Sequence, residues 1–277
     1  MSALTLASAP EDAEALDAAE RHHARLAGEL AGRVTMLLTA ADRDPGAAER
    51  LRTGLVAFCD SEILPHAAAE ESVLYPAARR LPDSRLLIEG LIAEHSCLIA
   101  LVDALRAATT PTAAAADARA LQVVFEEHVA KENGLVLPLL AVAPGVRLAA
   151  LLADLRDRLA RDTPASGASG SPDPETVKGI SEEKGQGAGG CGGTCGCGDA
   201  EEEAVPELDV RSVPHALRHA TVFGALDAVP AGGAMVLVAP HDPLPLLAQI
   251  EQRGPGLFAV EYLRRGPEAW RIRLSHR

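Results

Sequence analysis

Apolar residues recur every three or four positions through roughly the first 160 residues; the rhythm then stops, and it returns near residue 208 in shorter runs with alternating character. The first part predicts four long helices at about 11–42, 46–80, 83–108 and 112–141, with a shorter fifth at 146–161. The connections carrying Asp44-Pro45, Pro82-Asp83 and Thr110-Pro111 are brief, so neighbouring helices must run antiparallel. An up-down-up-down four-helix bundle follows. Pro65 falls inside the second segment and predicts a kink or a restart just before His66.

From Arg161 to about Glu207 the chain turns to Gly, Ser, Pro and acidic residues with no apolar period, which reads as a flexible linker. Beyond it the pattern predicts a strand LDVRSV, a helix over about 214–229, a strand AMVLVAP, a helix PLPLLAQIEQ, and strands LFAVEYL and AWRIRLS. The fold class is therefore mainly α, with a bundle at 11–161, a linker at 162–206 and a small α+β domain, β-α-β-α-β-β, at 207–277.

The inward rows of the bundle are not purely apolar. Ala19, His23, Leu26, Leu30, Val34 and Leu37 share a stripe on the first helix, with His22 rotated off it. The second helix presents Leu51, Leu55, Cys59, Ile63, His66, Glu70 and Val73, and the third Leu87, Leu91, His95, Leu98, Val102 and Leu105. The fourth presents Leu121, Phe125, His128, Glu132, Leu135 and Leu139. HAAAEESVLYP from His66 and HVAKENGLVLP from His128 echo one another: a histidine, a glutamate four residues on, and a proline ten residues on. Residues at i and i+4 project from one helix face, so each His/Glu pair can grip a shared centre. Ionised carboxylates in a bundle core cost several kcal/mol apiece unless a counter-charge joins them. Cations supply it. Imidazole mixed with carboxylate suits iron, manganese or zinc better than calcium or magnesium. His23, His66, Glu70, His95, His128 and Glu132 are thus the candidate ligands, with His22 as a possible addition; Glu71, Glu94, Glu126 and Glu127 flank them in supporting or surface positions.

Composition narrows the function classes. A formal charge of -13 argues against a nucleic-acid partner, which would need clustered Lys and Arg. No basic amino-terminal region precedes an apolar stretch and no long apolar run occurs, so a soluble cytoplasmic protein without a membrane segment is expected. Its five cysteines are then reduced thiols or metal ligands rather than a disulfide framework. Cys59 and Cys97 read as small buried hydrophobes on their helices.

The segments HARLAGEL, HAAAEESVLYP, EHSCLIALV and HVAKENGLVLP together resemble the hemerythrin-like, or HHE cation-binding, family over about residues 11–160. The resemblance implies a non-haem pair of iron ions, with manganese or zinc as alternatives, in which Glu70 and Glu132 bridge and the histidines cap. Such a pair can meet oxygen, nitric oxide or peroxide. Oxygen carriers of the family place a second histidine four residues after the third-helix ligand; this chain has Ile99 there, which argues against reversible oxygen carriage.

The carboxy-terminal segment, with LDVRSVPHA and VAPHDPLPLL, resembles a domain family of unknown function found beside hemerythrin-like domains, with a topology similar to the sulfur-carrier fold. Where that carrier has a cysteine opening its first helix this chain has His215, so transfer through a persulfide is not expected. His241 and His215 are the domain's candidate ligand residues. Cys191, Cys195 and Cys197 in CGGTCGCG form a candidate thiol site, one ligand short of a tetrahedral set.

Two function classes follow. One is a di-iron protein that binds or senses oxygen, nitric oxide or peroxide and passes the signal or electrons to the carboxy-terminal domain or a redox partner protein. The other is a redox enzyme reducing peroxide or nitric oxide, or a donor of iron for iron-sulfur cluster repair. No general acid or base stands out beyond the ligands, so catalytic residues are not assigned.

Overall fold

The computed structural model describes residues 9–162 and 205–277. The linker's cysteines, Cys191, Cys195 and Cys197, lie outside them.

Helix α1 runs Pro10–Ala41 as one uninterrupted rod. The second bundle helix is built from α2 (Pro45–Phe58) and α3 (Leu64–Ala78), joined without a break by a π-turn over Cys59–Ile63. Next comes α4 (Arg85–Ala107). The fourth consists of α5 (Pro111–Lys131) and α6 (Leu137–Val142), joined by a second π-turn over Glu132–Val136. A fifth helix, α7, spans Leu148–Asp162. Starts follow the sequence chemistry: Asp44 and Thr110 sit at N-caps, their side-chain oxygens accepting from the backbone N–H of Ala47 and Ala113, and each is followed by a proline at the first helical position.

Pro65 does not restart the helix. Both π-turns lie just before a proline, Pro65 and Pro138, and each widens the helix by one residue, so that Leu64 N–H donates to Cys59 O and Leu137 N–H to Glu132 O. The extra residue accommodates a ring that can neither donate nor tolerate a close carbonyl. It also shifts the inward face. After Glu132 the core positions are Val136 and Leu140, whereas Leu135, expected inside, is 53% exposed.

Apolar burial in the bundle forms two separate cores. One contains Leu26, Leu30, Leu55, Ile63, Leu98 and Phe125; the other contains Leu16, Leu74, Tyr75, Leu91, Val136 and Leu155. On every bundle helix the candidate ligand falls between the two. Helix α7 covers the second core, and the carboxylate of Asp12 on α1, itself buried, accepts from the N–H of Ala149 in the first turn of α7 at 2.8 Å. Cys59 is buried, and burial pushes its thiol up to about 12, which leaves it inert; Cys97, expected inside, is exposed.

The carboxy-terminal domain is a four-stranded sheet in the order β1 (Glu207–Asp209), β2 (Ala234–Ala239), β4 (Trp270–His276), β3 (Phe258–Arg264). Strand β1 pairs parallel with β2 through the crossover helix α8 (Arg218–Asp227), and β4 pairs antiparallel with both β2 and β3. Helix α9 (Leu244–Arg253) follows β2. The expected β-α-β-α-β-β order holds, although α8 begins at Arg218, after a turn, rather than near Pro214.

Helix α8 lies against α1. The approach is close enough that a Cβ on Gly32 would stand 2.1 Å from Thr221 O, one on Gly28 2.4 Å from Ala220 Cβ, and one on Gly224 2.2 Å from Glu29 O. Arg33 of α1 donates to Asp227 of α8 at 3.1 Å, and Met36 of α1 joins the carboxy-terminal core. Because backbone rather than a movable side chain occupies the space, Gly32→Val must push α8 away. It is expected to cost about 1–3 kcal/mol and to make the carboxy-terminal domain accessible to protease, read by urea denaturation and limited proteolysis.

Candidate metal centre

Four helices each contribute an imidazole to one layer of the bundle. His23, His66, His95 and His128 are all buried, as are Glu70 and Glu132, each at 1% exposure. Their donor atoms fall into two overlapping groups able to hold a cation, His23, His66, Glu70 and Glu132 in one, and Glu70, His95 and His128 in the other. The atoms within each group lie within 4.8 Å of one another. Glu70 belongs to both: Oε1 is 2.8 Å from His66 Nε2 and 3.4 Å from His23 Nε2, while Oε2 is 3.5 Å from His95 Nε2. The carboxylate of Glu132 reaches across too, with Oε2 3.8 Å from His23 Nε2 and 3.6 Å from His128 Nε2.

The outer ring nitrogens of three histidines are already engaged. His23 Nδ1–H donates to Asn133 Oδ1 at 2.6 Å, His95 Nδ1–H to Glu71 Oε1 at 2.8 Å, and His128 Nδ1–H to Glu94 Oε2 at 3.1 Å. Lys131 in turn is ion-paired with Glu94. These bonds keep the proton on Nδ1 and turn Nε2 inward, which is how a ligand imidazole is oriented. His95 Nε2 and His128 Nε2 face each other 3.0 Å apart, so in the absence of a cation a proton carried by one can be donated to the other. Both oxygens of Glu70, Oε2 of Glu132 and both ring nitrogens of His66 lack a hydrogen-bond partner. Orphaned, buried carboxylate oxygens and an imidazole nitrogen of this kind are what a cation would satisfy, and the residues fit one at each group.

The electrostatics agree. Burial works against ionising Glu70, but the imidazoles of His66, His23 and His95 around it prevail and hold its carboxyl well below the ordinary range. Glu132 goes the other way: burial first, and then the negative charge of Glu70, raise it well above that range, partly opposed by the hydrogen bond from Tyr75. Without a cation only one of the two carboxylates is readily ionised. Burial lowers His128 to about 4, whereas His95, also penalised by burial, is raised by the carboxylates of Glu70 and Glu71 beside it.

Two partners escape the sequence pattern. Tyr75, fully buried, donates its phenol O–H to Glu132 Oε1 at 2.8 Å and lies 3.4 Å from His95 Nε2 and 3.5 Å from His128 Nε2. Its only trace in the sequence is a polar-tipped aromatic one turn beyond Glu70. Asn133 is brought to His23 from the fourth helix within the π-turn, which a regular helical wheel does not represent. His22 is half-buried rather than outward; its Nε2 lacks a partner, its ring centre is 5.0 Å from that of His66, and burial lowers it to about 3. It belongs to neither donor group. Glu126 accepts from Gln122 and does not reach the centre.

Other candidates stand apart. Ile99 is 49% exposed, so the position that carries a histidine in oxygen carriers faces away from the ligands here. His215 and His241 are both exposed, in a turn before α8 and a bend before α9, and among the described residues neither joins a metal-binding group. No helix among the described residues is long and apolar enough to cross a membrane.

Filling the cage must displace protons, since Glu132 and His95 hold theirs more tightly than usual. Cation binding to the metal-free protein near pH 7 is expected to release about one proton or more, and to weaken as pH falls. Calorimetry in buffers of different ionisation enthalpy reads the number; no buffer dependence would contradict this electrostatic account.

Residues 8–140 match the family model described as hemerythrin HHE cation binding domain, and 207–276 match the one described as an uncharacterized conserved protein, DUF2249. No curated protein and no solved structure matches the chain.

Proposed function

We propose, taking the amino-terminal bundle as a hemerythrin HHE cation binding domain, that this protein holds a pair of iron ions and senses a small ligand, oxygen or nitric oxide, at that pair. One observation carries the reading: six buried donors from four helices converge in two groups that share Glu70, and among them His66, both oxygens of Glu70 and one of Glu132 are left without a hydrogen-bond partner. A single structural zinc would need four ligands and leave the second group idle. Mixed imidazole and carboxylate donors suit iron among the redox-active metals.

Each residue has a task in this reading. Glu70, already the more ionised carboxylate, joins the two positions; Glu132 adds the second negative charge once its proton leaves, and Tyr75 steadies its other oxygen. Asn133, Glu71 and Glu94 keep three imidazoles in the ligand tautomer. Bound in this cage, an iron pair supplies one-electron redox chemistry and a position for a small ligand. The close contact of α1 with α8 connects the helix bearing His23 to the carboxy-terminal domain, which suits a sensor whose output lies there.

Iron content and visible spectra test the proposal. Protein reconstituted anaerobically with ferrous iron is expected to hold about two irons per chain, by the ligand count of the cage. Its spectrum should change on exposure to oxygen or nitric oxide. Glu70→Ala and His128→Ala are expected to lose at least half of the iron and the spectral response together. Stoichiometric zinc in protein purified without added metal, with no response to either gas after iron loading, would overturn it. Sustained consumption of nitric oxide or peroxide with a reductant would shift the reading from sensing to turnover.

A further inference from the structure

Beside the His23 and His66 face of the centre lies a cavity of about 120 Å³. His22, His23, His66 and Glu70 line it on one side. Elsewhere its lining is almost wholly apolar, with Ala15, Ala18 and Ala19 from α1, and Leu152, Leu155 and Leu159 from α7. Leu74 and Leu137 complete the apolar wall, and the exposed Arg156 stands at its rim. The α7 wall lies beyond the stretch that matches the bundle's family, which ends at residue 140. It is nevertheless firmly set: Leu148, Leu152 and Leu155 are buried in the second core, and the buried Asp12 caps the first turn of α7. The three alanines opposite keep the space between α1 and α7 open, where larger side chains at helical spacing would fill it.

We propose that this cavity is a holding site for a small neutral diatomic gas, oxygen or nitric oxide, placed between α7 and the metal centre. The inference rests on the functional reading above and adds the place where the gas is held before it meets the centre. A chamber of this size, apolar away from the ligand layer, has room for such a molecule; an engineered apolar cavity of about 150 Å³ takes up xenon. Past Arg156 at the rim, an anion would shed its hydration among leucines and alanines and then meet the carboxylate of Glu70, and both disfavour it. Hydrogen peroxide, with two O–H groups to satisfy, meets the same obstacle. A neutral diatomic loses almost nothing on transfer and arrives against His23, His66 and Glu70.

Two measurements decide this. Xenon pressurisation of crystals of the metal-free protein should place xenon against Leu155 and Ala19; its absence there overturns the proposal. With diferrous protein of verified iron content, Ala19→Phe is expected to slow association of both oxygen and nitric oxide by roughly tenfold or more. Leu155→Ala, which enlarges the chamber, should not slow either gas, and azide association should stay within about twofold in both variants. Unchanged gas rates in Ala19→Phe, or azide slowed as much as the gases, would overturn the proposal. If wild-type diferrous protein responds to neither gas, it is the sensing function that fails, while xenon still decides whether the chamber admits small apolar molecules.

Discussion

Two carboxyl groups, with oxygens within 4.8 Å of each other and buried between two apolar cores, form the constraint on which the bundle turns. Glu70 and Glu132 cannot both be ionised there without compensation, and the folded chain shows the conflict directly: one carboxyl is driven down by imidazoles and the other is driven up by burial and by the first. A well-packed apolar layer would be cheaper for stability alone. The polar layer makes physical sense as a cation cage, because positive charge removes the repulsion and satisfies the orphaned acceptors in one event.

The groups around the cage serve that same end. Carboxylates on the outer nitrogens of His95 and His128, and a carboxamide on that of His23, settle which nitrogen of each ring is free. None of the three outer partners lies on the inward stripe of its helix, so each can reach a ring from the side while staying closer to water than the ligands do. Lys131, paired with Glu94, extends the chain of contacts toward the surface. The interior rows supply donors and the flanking rows aim them.

Much of this was legible in the sequence because the two signals involved are local. Apolar spacing fixed the number of helices and the inward faces, and a histidine on each inward face is visible without any tertiary information. The HxxxE echo also pointed to both glutamates. Where the reading failed, the cause was a departure from 3.6 residues per turn. The π-turn at Glu132–Val136 turns Leu135 out and brings Asn133 round to His23, and no wheel drawn with a regular pitch yields either result. His22 reads as outward beside His23 on such a wheel, yet α3 and α7 approach closely enough to half-bury it. Ile99, where oxygen carriers of the family have a histidine, lies off the inward row of its helix in the sequence and is exposed in the structure. The packing of α8 on α1 was not anticipated, since glycines within a helix read as weak points until a partner backbone is seen to need the space.

Helix α1 is where these features meet. Along one rod it carries Asp12, which sets α7; Ala15 and Ala19, which leave the cavity open; His23, which enters the cage; and Gly28 and Gly32, which admit α8. The helix is continuous, with neither a proline beyond its first position nor a π-turn to absorb displacement. Any shift of His23 along or about the axis must therefore be carried toward the glycines, only five and nine positions further on, where van der Waals contact with the backbone of α8 leaves no slack. Helix α1 thus gives the ligand cage and the neighbouring domain one stiff element in common, held at the carboxy-terminal side by close-packed backbone contacts.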